Sequence, residues 1–84
     1  MARPRHAHAC KSCRYLDTYT AENYPQDLYL CGDRGHHSIV VVRSDDPDDT
    51  FGFRIPDIES KRVPADYYVM FAEGLEIAKS KGLL

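Results

Sequence analysis

The sequence predicts a small α+β domain in which a short antiparallel sheet is followed by a C-terminal helix, and three observations lead to this prediction. The β-branched run at 39–43 is typical of a strand. Apolar residues alternate with other residues at 51–55, which favours a second strand and a hairpin over about 38–55. Apolar residues recur at helical spacing at about 64–81, which predicts the helix.

The hairpin contains its own turn signal. Residues 44–50 are rich in Asp and include a Pro, and both residue types favour turns over strands. The alternation that follows places Phe51, Phe53 and Ile55 on one face of the sheet. Upstream, residues 27–31 read as a short strand that runs into a glycine-rich turn at 32–35.

The remaining segments carry weaker patterns. Residues 1–9 lack periodicity and predict a flexible arm, so that 10–84 form one domain. The polar, tyrosine-rich stretch 14–26 predicts a loop with at most a short turn of helix, and 56–63 predict a polar connector.

The predicted helix has recognisable ends. Pro64 suits its first turn, where no backbone N–H is needed, and Gly82 suits its C-terminal cap. Gly74 lies inside the helix at a cost of about 1 kcal/mol relative to Ala, which indicates close packing on the sheet. The predicted buried stripe consists of Tyr68, Phe71, Ala72, Leu75 and Ala78.

Composition narrows the class of protein. A chain of 84 residues with 43% hydrophobic residues folds as one small domain, which commonly needs a disulfide, a metal or a partner for stability. The net charge of −2 argues against a protein that coats nucleic acid without sequence preference, because such proteins are normally strongly basic. The charged start has no apolar stretch behind it and no segment is long enough to span a bilayer, so we expect a cytoplasmic protein with reduced cysteines.

The three cysteines and a nearby histidine have the spacing of a metal site. Cys10 and Cys13 form a CxxC pair, whose tight turn lets both sulfurs reach one ion. Cys31 is followed by two glycines and then by His36, five positions after it, and the glycines let the backbone fold closely around a metal. Thiolate and imidazole are the usual ligands of structural zinc. The sequence therefore predicts zinc as the cofactor, bound by Cys10, Cys13, Cys31 and His36, and makes the fold a zinc-stapled α+β domain.

Residues 31–36, CGDRGH, resemble the CGxxGH part of the retroviral-type zinc knuckle, CxxCGxxGHxxxxC. Leu28 and Val41 stand where that family has its flanking cysteines, so Cys10 and Cys13 would replace them from a distance. The arrangement is thus more similar to a gapped, zinc-ribbon-like site than to a complete knuckle.

Several alternatives remain open at this point. The CxxC pair is also compatible with a redox pair or with inert buried thiols. His37 adjoins His36 and competes with it as the fourth ligand. His6 and His8 belong to the arm, from which either could complete the site, and they leave a metal-handling protein as a third functional reading.

A closed four-ligand zinc site holds a fold together and does not catalyse. With no nucleophile or nucleotide-binding motif, the sequence predicts a non-enzymatic protein-interaction module without a small-molecule substrate. In its small size and acidic patch the chain resembles regulators, encoded by phages or mobile elements, that dock on a host protein complex and inhibit it. The expected partner-binding residues, which suit a basic protein partner, are Asp45, Asp46, Asp48 and Asp49.

The alternative function is nucleic-acid binding by the basic zinc end. Its candidate residues are Arg3, Arg5, Lys11, Arg14 and Arg34. The knuckle-like segment favours this alternative and the net negative charge opposes it.

Overall fold

The computed structural model describes residues 13–20, 25–33 and 36–84, without the side chains of Asp33, His36 and Pro47. Four strands precede two helices along the chain. Their bounds are β1 Arg14–Tyr19, β2 Gln26–Asp33, β3 His36–Arg43, β4 Asp46–Arg54, α1 Ile55–Glu59 and α2 Ala65–Ser80. The α+β class, the antiparallel sheet and the C-terminal helix are therefore confirmed.

The strands form a four-stranded meander in the order β1-β2-β3-β4, and every neighbouring pair is antiparallel. The β2–β3 register runs unbroken from the pair Gln26 and Arg43 to the pair Asp33 and His36. Because side chains alternate along a strand, this continuous register separates two sets of residues onto opposite faces of the sheet.

Strand β1 corrects the prediction of a loop over 14–26 for its first six residues, whereas 21–24 lie outside the described residues. Tyr and Thr in this segment have high β propensity, but the strand contains a register shift between Tyr15 and Asp17. An extra residue of this kind, here Leu16, breaks the period of two on which a strand is recognised. Leu16 nevertheless has only 1% of its surface exposed, because the irregular strand still directs it into the core.

Two further segments differ from the predictions. Strand β4 begins at Asp46, so the turn of the hairpin is much shorter than the predicted 44–50. The register shifts between Val42 and Arg43, which accommodates the acidic residues as an irregular start of the strand. The predicted polar connector 56–63 begins with the short helix α1, which has Pro56 in its first turn, where proline is tolerated, and buries Ile58.

The main core lies between one face of the sheet and the two helices. Its buried members are Leu16, Leu28, Leu30, Ile39, Val41, Ile58, Val63, Met70, Phe71, Leu75 and Ala78. Phe51 and Phe53 of β4 pack against this core from one face of the strand, as predicted. Ile55 also packs against it, but it begins α1 and does not belong to the strand. Of the predicted stripe on α2, Phe71, Leu75 and Ala78 are fully buried, whereas Tyr68 and Ala72 are half-buried.

Gly74 permits the closest approach of α2 to the sheet. A Cβ atom at this position would lie 2.9 Å from Cγ2 of Ile39, a distance that real Cβ atoms essentially never show. The prediction that this glycine marks close packing on the sheet is confirmed. At the end of α2, Gly82 has a φ of 70° and the Leu83 amide donates to the Ala78 carbonyl, which gives the glycine cap that the sequence predicted.

Candidate metal centre

Cys13 and Cys31 meet across the first two strands. Arg14 pairs with Leu30, so Cys13, just before β1, lies opposite Cys31 in β2. Their Cα atoms are 4.0 Å apart although 18 positions separate them in the chain, and the structure joins the two sulfurs as a disulfide. Strand pairing, which spacing along the chain does not reveal, is the physical reason for this close approach. The expectation that the cysteines are reduced in the cytosol stays a prediction.

The cysteine pair belongs to a second apolar cluster on the face of the sheet away from α2. Cys31 is 7% exposed and Tyr29 is 4% exposed, and Cys13 and Tyr15 are half-buried beside them. The rings of Tyr15 and Tyr29 meet edge to face, with their centroids 5.7 Å apart. These aromatic neighbours limit the access of water to Cys31, so its sulfur lies in a largely apolar environment.

A chain of hydrogen bonds adjoins the cysteine pair. The Thr18 hydroxyl donates to Oδ1 of Asp27 at 2.8 Å. Because a hydroxyl has one proton to donate, the Tyr15 hydroxyl is the donor in its 2.6 Å bond to Thr18 Oγ1. Asp27 is 7% exposed, so this series of hydrogen bonds ends at a carboxylate that is largely shielded from solvent. Sequence reasoning missed this network because it assigned Tyr15 and Thr18 to a loop.

The two candidate histidines occupy different positions. His37 pairs with Gly32 and follows the alternation of Ile39, so it lies on the α2 side of the sheet, opposite the cysteine pair. There it lines a groove of about 300 Å³ together with Lys79 and Leu84. The backbone of His36 pairs with that of Asp33 at the start of β3, and its side chain lies outside the described residues.

The described residues contain only part of the predicted zinc site. Cys13 and Cys31 lie close enough for both sulfurs to reach one ion once the disulfide between them is reduced. Cys10, His6 and His8 lie outside the described residues. Within the residues described, no group of three or more His, Cys, Asp or Glu side chains is arranged to hold a metal. The prediction that Cys10 and His36 complete the site stays a prediction.

The acidic cluster at the tip of the β3–β4 hairpin (Asp45, Asp46, Asp48 and Asp49), here called the acidic tip, is exposed. Arg43 partly neutralises it, since its guanidinium donates two hydrogen bonds to the Asp45 carboxylate. This hydrogen bonding by Arg43 lowers the pKa of Asp45 below its usual value. The charge of Arg43 therefore offsets one of the four carboxylates of the acidic tip.

The basic residues of the nucleic-acid alternative are mostly outside the described residues, which include only Arg14 of the five. Arg14 is exposed at the start of β1, next to the cysteine pair. Asp17, on the same strand, is also exposed, so the described part of this edge is not uniformly basic.

Across the described ranges, neither helix is long and apolar enough to cross a membrane. Comparison with known proteins found no matching family model, no matching curated protein and no matching solved structure.

Proposed function

We propose that this protein is a non-enzymatic, zinc-binding protein-interaction module whose reduced form binds one zinc ion through Cys10, Cys13, Cys31 and His36. The observation that carries the proposal is the meeting of Cys13 and Cys31 across β1 and β2, with Cα atoms 4.0 Å apart. Spacing in the sequence groups Cys13 only with Cys10. The strand register places Cys31 beside Cys13, and this observation supports a cluster of thiols independently of the spacing.

The other two ligands are within reach of this cluster by chain length alone. Cys10 precedes Cys13 by three residues, which span at most about 11 Å when fully extended. His36 is the first residue of β3, directly across the sheet from the end of β2. His37 is the weaker candidate, because its side chain lies on the α2 side of the sheet.

The zinc would stabilise the face of the sheet opposite α2. The α2 face is stabilised by a large apolar core, whereas the second cluster has, among the residues that the structure describes, only three buried members, Tyr29, Cys31 and Val42. Zinc bound by four protein ligands leaves no coordination position for a substrate, and such sites contribute directly to folding. We therefore assign the metal to stability and the activity of the protein to its surface.

The surface that supports a protein partner is the acidic tip. Asp46, Asp48 and Asp49 are exposed beside the Arg43–Asp45 ion pair. They lie at the turn of the β3–β4 hairpin, away from the cysteine pair. Concentrated charge of one sign steers a partner of the opposite sign during association. A basic protein surface is the partner that this charge distribution favours.

Elemental analysis of protein purified with reductant and without chelator tests the metal assignment. We expect about one zinc per chain, which Cys31→Ser, Cys10→Ser and His36→Ala should each reduce strongly. His37→Ala is the matched control, because it removes the adjacent imidazole on the other side of the sheet and should leave the zinc content unchanged. A folded, reduced protein that contains no zinc contradicts the proposal.

A binding measurement separates the protein-interaction module from the nucleic-acid alternative. We expect weak or no binding to a single-stranded oligonucleotide at physiological salt. Sub-micromolar binding that weakens steeply with added salt, and that Arg14→Ala reduces equally for all sequences, would favour the alternative instead.

A further inference from the structure

We propose that β4 is a self-association edge, through which two copies of this chain pair in antiparallel fashion and join their sheets into one. The inference goes beyond the proposed function, because it names a second copy of the chain as a partner. It depends on strands and side chains of the described residues and does not require a metal.

Strand β4 lies at one edge of the sheet. In the described part of the chain it pairs with β3, and no strand pairs with its other side. With nine residues it is also the longest of the four strands. The main contacts of α2 with the sheet are with β1, β2 and β3, so β4 extends beyond the helix that covers the other strands. An edge strand of this length is a template for a further strand.

The charges along β4 favour pairing of the strand with a second copy of itself. The strand begins with the exposed Asp46, Asp48 and Asp49 and ends with the exposed Arg54. In an antiparallel pair, the acidic start of each β4 lies beside the basic end of the other. Parallel pairing would place like charges together, which is unfavourable between neighbouring strands. The edge is therefore self-complementary, as a dimer with twofold symmetry requires.

Phe51 sets the register of this pairing. Asp48 and Arg54 each lie three positions from Phe51, so strands centred on Phe51 place Asp48 opposite Arg54 of the second copy. Residues that are directly opposite share one face of a sheet and can interact. A guanidinium has five N–H donors, so Arg54 can bind this carboxylate in addition to its contacts within its own chain. The pairing spans 48–54 and ends before Pro47, which has no backbone N–H to donate.

The centre of the proposed interface is apolar. The ring of Phe51 lies 5.0 Å from that of Tyr67 on α2, centroid to centroid. Phe51 is half-buried and Tyr67 is 42% exposed, so aromatic surface remains uncovered beside β4. In the proposed register Phe51 lies opposite Phe51 of the second copy, and the two pairs of rings shield one another from water. An apolar centre between charged ends is typical of protein interfaces, and its small size predicts micromolar affinity.

The opposite edge of the sheet is less suited to pairing. Strand β1 is shorter than β4, and its register with β2 shifts beside Leu16. The Lys81 ammonium, just after α2, donates a 2.8 Å hydrogen bond to the Leu16 carbonyl. An irregular strand with an engaged carbonyl is a poor template for a further strand. Pairing therefore uses one edge of each copy and stops at a dimer instead of continuing into a fibre.

Sedimentation equilibrium of the full chain, from low to high micromolar concentration, tests the dimer. With and without dithiothreitol, we expect a concentration-dependent shift from monomer to dimer and no larger species. Hydrogen exchange followed by mass spectrometry should slow in the β4 peptide at concentrations at which the dimer forms. Arg54→Asp and Asp48→Arg should each weaken association about tenfold, because each replaces two attractive cross-strand pairs with two repulsive ones.

A charge exchange tests the register. Asp48→Arg combined with Arg54→Asp should restore the association of wild type, because the same pairs form with their charges reversed. Asp46→Arg combined with Arg54→Asp is the matched control. It has the same net charge but should not restore association, because Asp46 lies outside the paired residues. All three positions are exposed, so circular dichroism should show that every variant is folded.

A chain that remains monomeric at every concentration overturns the proposal, even if a basic protein binds to β4. Association that dithiothreitol abolishes also overturns it, because disulfides between chains would then be the cause. A dimer that Arg54→Asp leaves unchanged, or one that the Asp46 control restores, contradicts the proposed pairing. None of these variants changes a cysteine or a histidine, so the zinc content tests the proposed function separately.

Discussion

The two faces of the sheet are stabilised by different means. In the described part of the chain, eleven apolar residues form a continuous buried core between the helices and the sheet face that packs on α2. Among the described residues, the other face buries three apolar residues, Tyr29, Cys31 and Val42, and adds a disulfide and a chain of polar hydrogen bonds. The difference shows how a small domain can use covalent and polar interactions to stabilise a sheet face that buries few apolar residues. It also predicts that only the second face responds to redox conditions.

The largest expected effect is on the helix face. Phe71 is fully buried and its ring lies 5.0 Å from that of Phe53 and 5.6 Å from that of Phe51, centroid to centroid. Phe71→Ala should lower the free energy of unfolding by about 3–5 kcal/mol, measured by urea denaturation with and without reductant. Val69→Ala is the control, since Val69 on the same helix is 64% exposed. A loss from Phe71→Ala that depended on reductant would break the distinction between the faces.

The next effect concerns the link between β1 and β2. The disulfide closes a loop over 18 positions, for which chain entropy predicts about 3 kcal/mol of stabilisation. In the presence of a zinc chelator, dithiothreitol should therefore lower the urea midpoint of wild type and of Cys10→Ser. Cys13→Ser should be insensitive to the reductant. Equal sensitivity of Cys13→Ser would show that the reductant acts elsewhere in the chain.

A smaller effect tests the packing of α2 on the sheet. Gly74→Ala gains about 1 kcal/mol of helix propensity, but its Cβ would meet the branched side chain of the fully buried Ile39. Such overpacking costs about 1–3 kcal/mol, so we expect a net destabilisation of roughly 1 kcal/mol in thermal unfolding. Glu76→Ala on the exposed side of α2 should not destabilise the domain. A stabilised Gly74→Ala protein would mean that Ile39 can move aside.

The polar chain on the other face should contribute about as much. Tyr15→Phe removes the donor to Thr18, and a typical net hydrogen bond contributes about 1 kcal/mol. Thr18→Val should cost more, because it removes a donor from the buried Asp27 carboxylate. Tyr67→Phe on exposed α2 is the control, and chemical denaturation gives all three values. If Thr18→Val were as mild as the control, the network would not stabilise this face.

The acidic tip should show the smallest effect on stability. Changing its four aspartates to Asn should leave the melting temperature unchanged or slightly raised, because repulsion among like charges is relieved. The same change should slow association with a basic partner more than it affects dissociation, as surface plasmon resonance would measure. If the association rate did not change, we would conclude that the acidic tip is a solvated turn without a role in binding.

The acidic tip also has a pH dependence of known sign. The hydrogen bonds from Arg43 lower the pKa of Asp45 in the folded state. The stabilisation from this pair is therefore present above the ordinary aspartate pKa and is lost as the pH falls through the lowered value. The Asp45→Asn variant should lack this part of the acid dependence of the melting temperature.

Local patterns predicted much of the helix face. The hairpin, the helix, its glycine cap and the close approach at Gly74 all follow from spacing and from the properties of single residues. Strand β1 and helix α1 were harder to predict. The register shift beside Leu16 hid β1 from a search for alternation, and α1 is only five residues long, too short to show helical periodicity.

By itself the sequence determined the α+β class, the helix and its end, and the residue types from which a metal site could form. Those features depend on neighbours within a few positions, which a linear pattern records. Only the tertiary structure decided that Cys13 opposes Cys31, that Tyr15 and Thr18 lead to a buried Asp27, and that His37 lies on the α2 side. Each of these depends on strand register, and a shift of one residue in register moves a side chain to the other face.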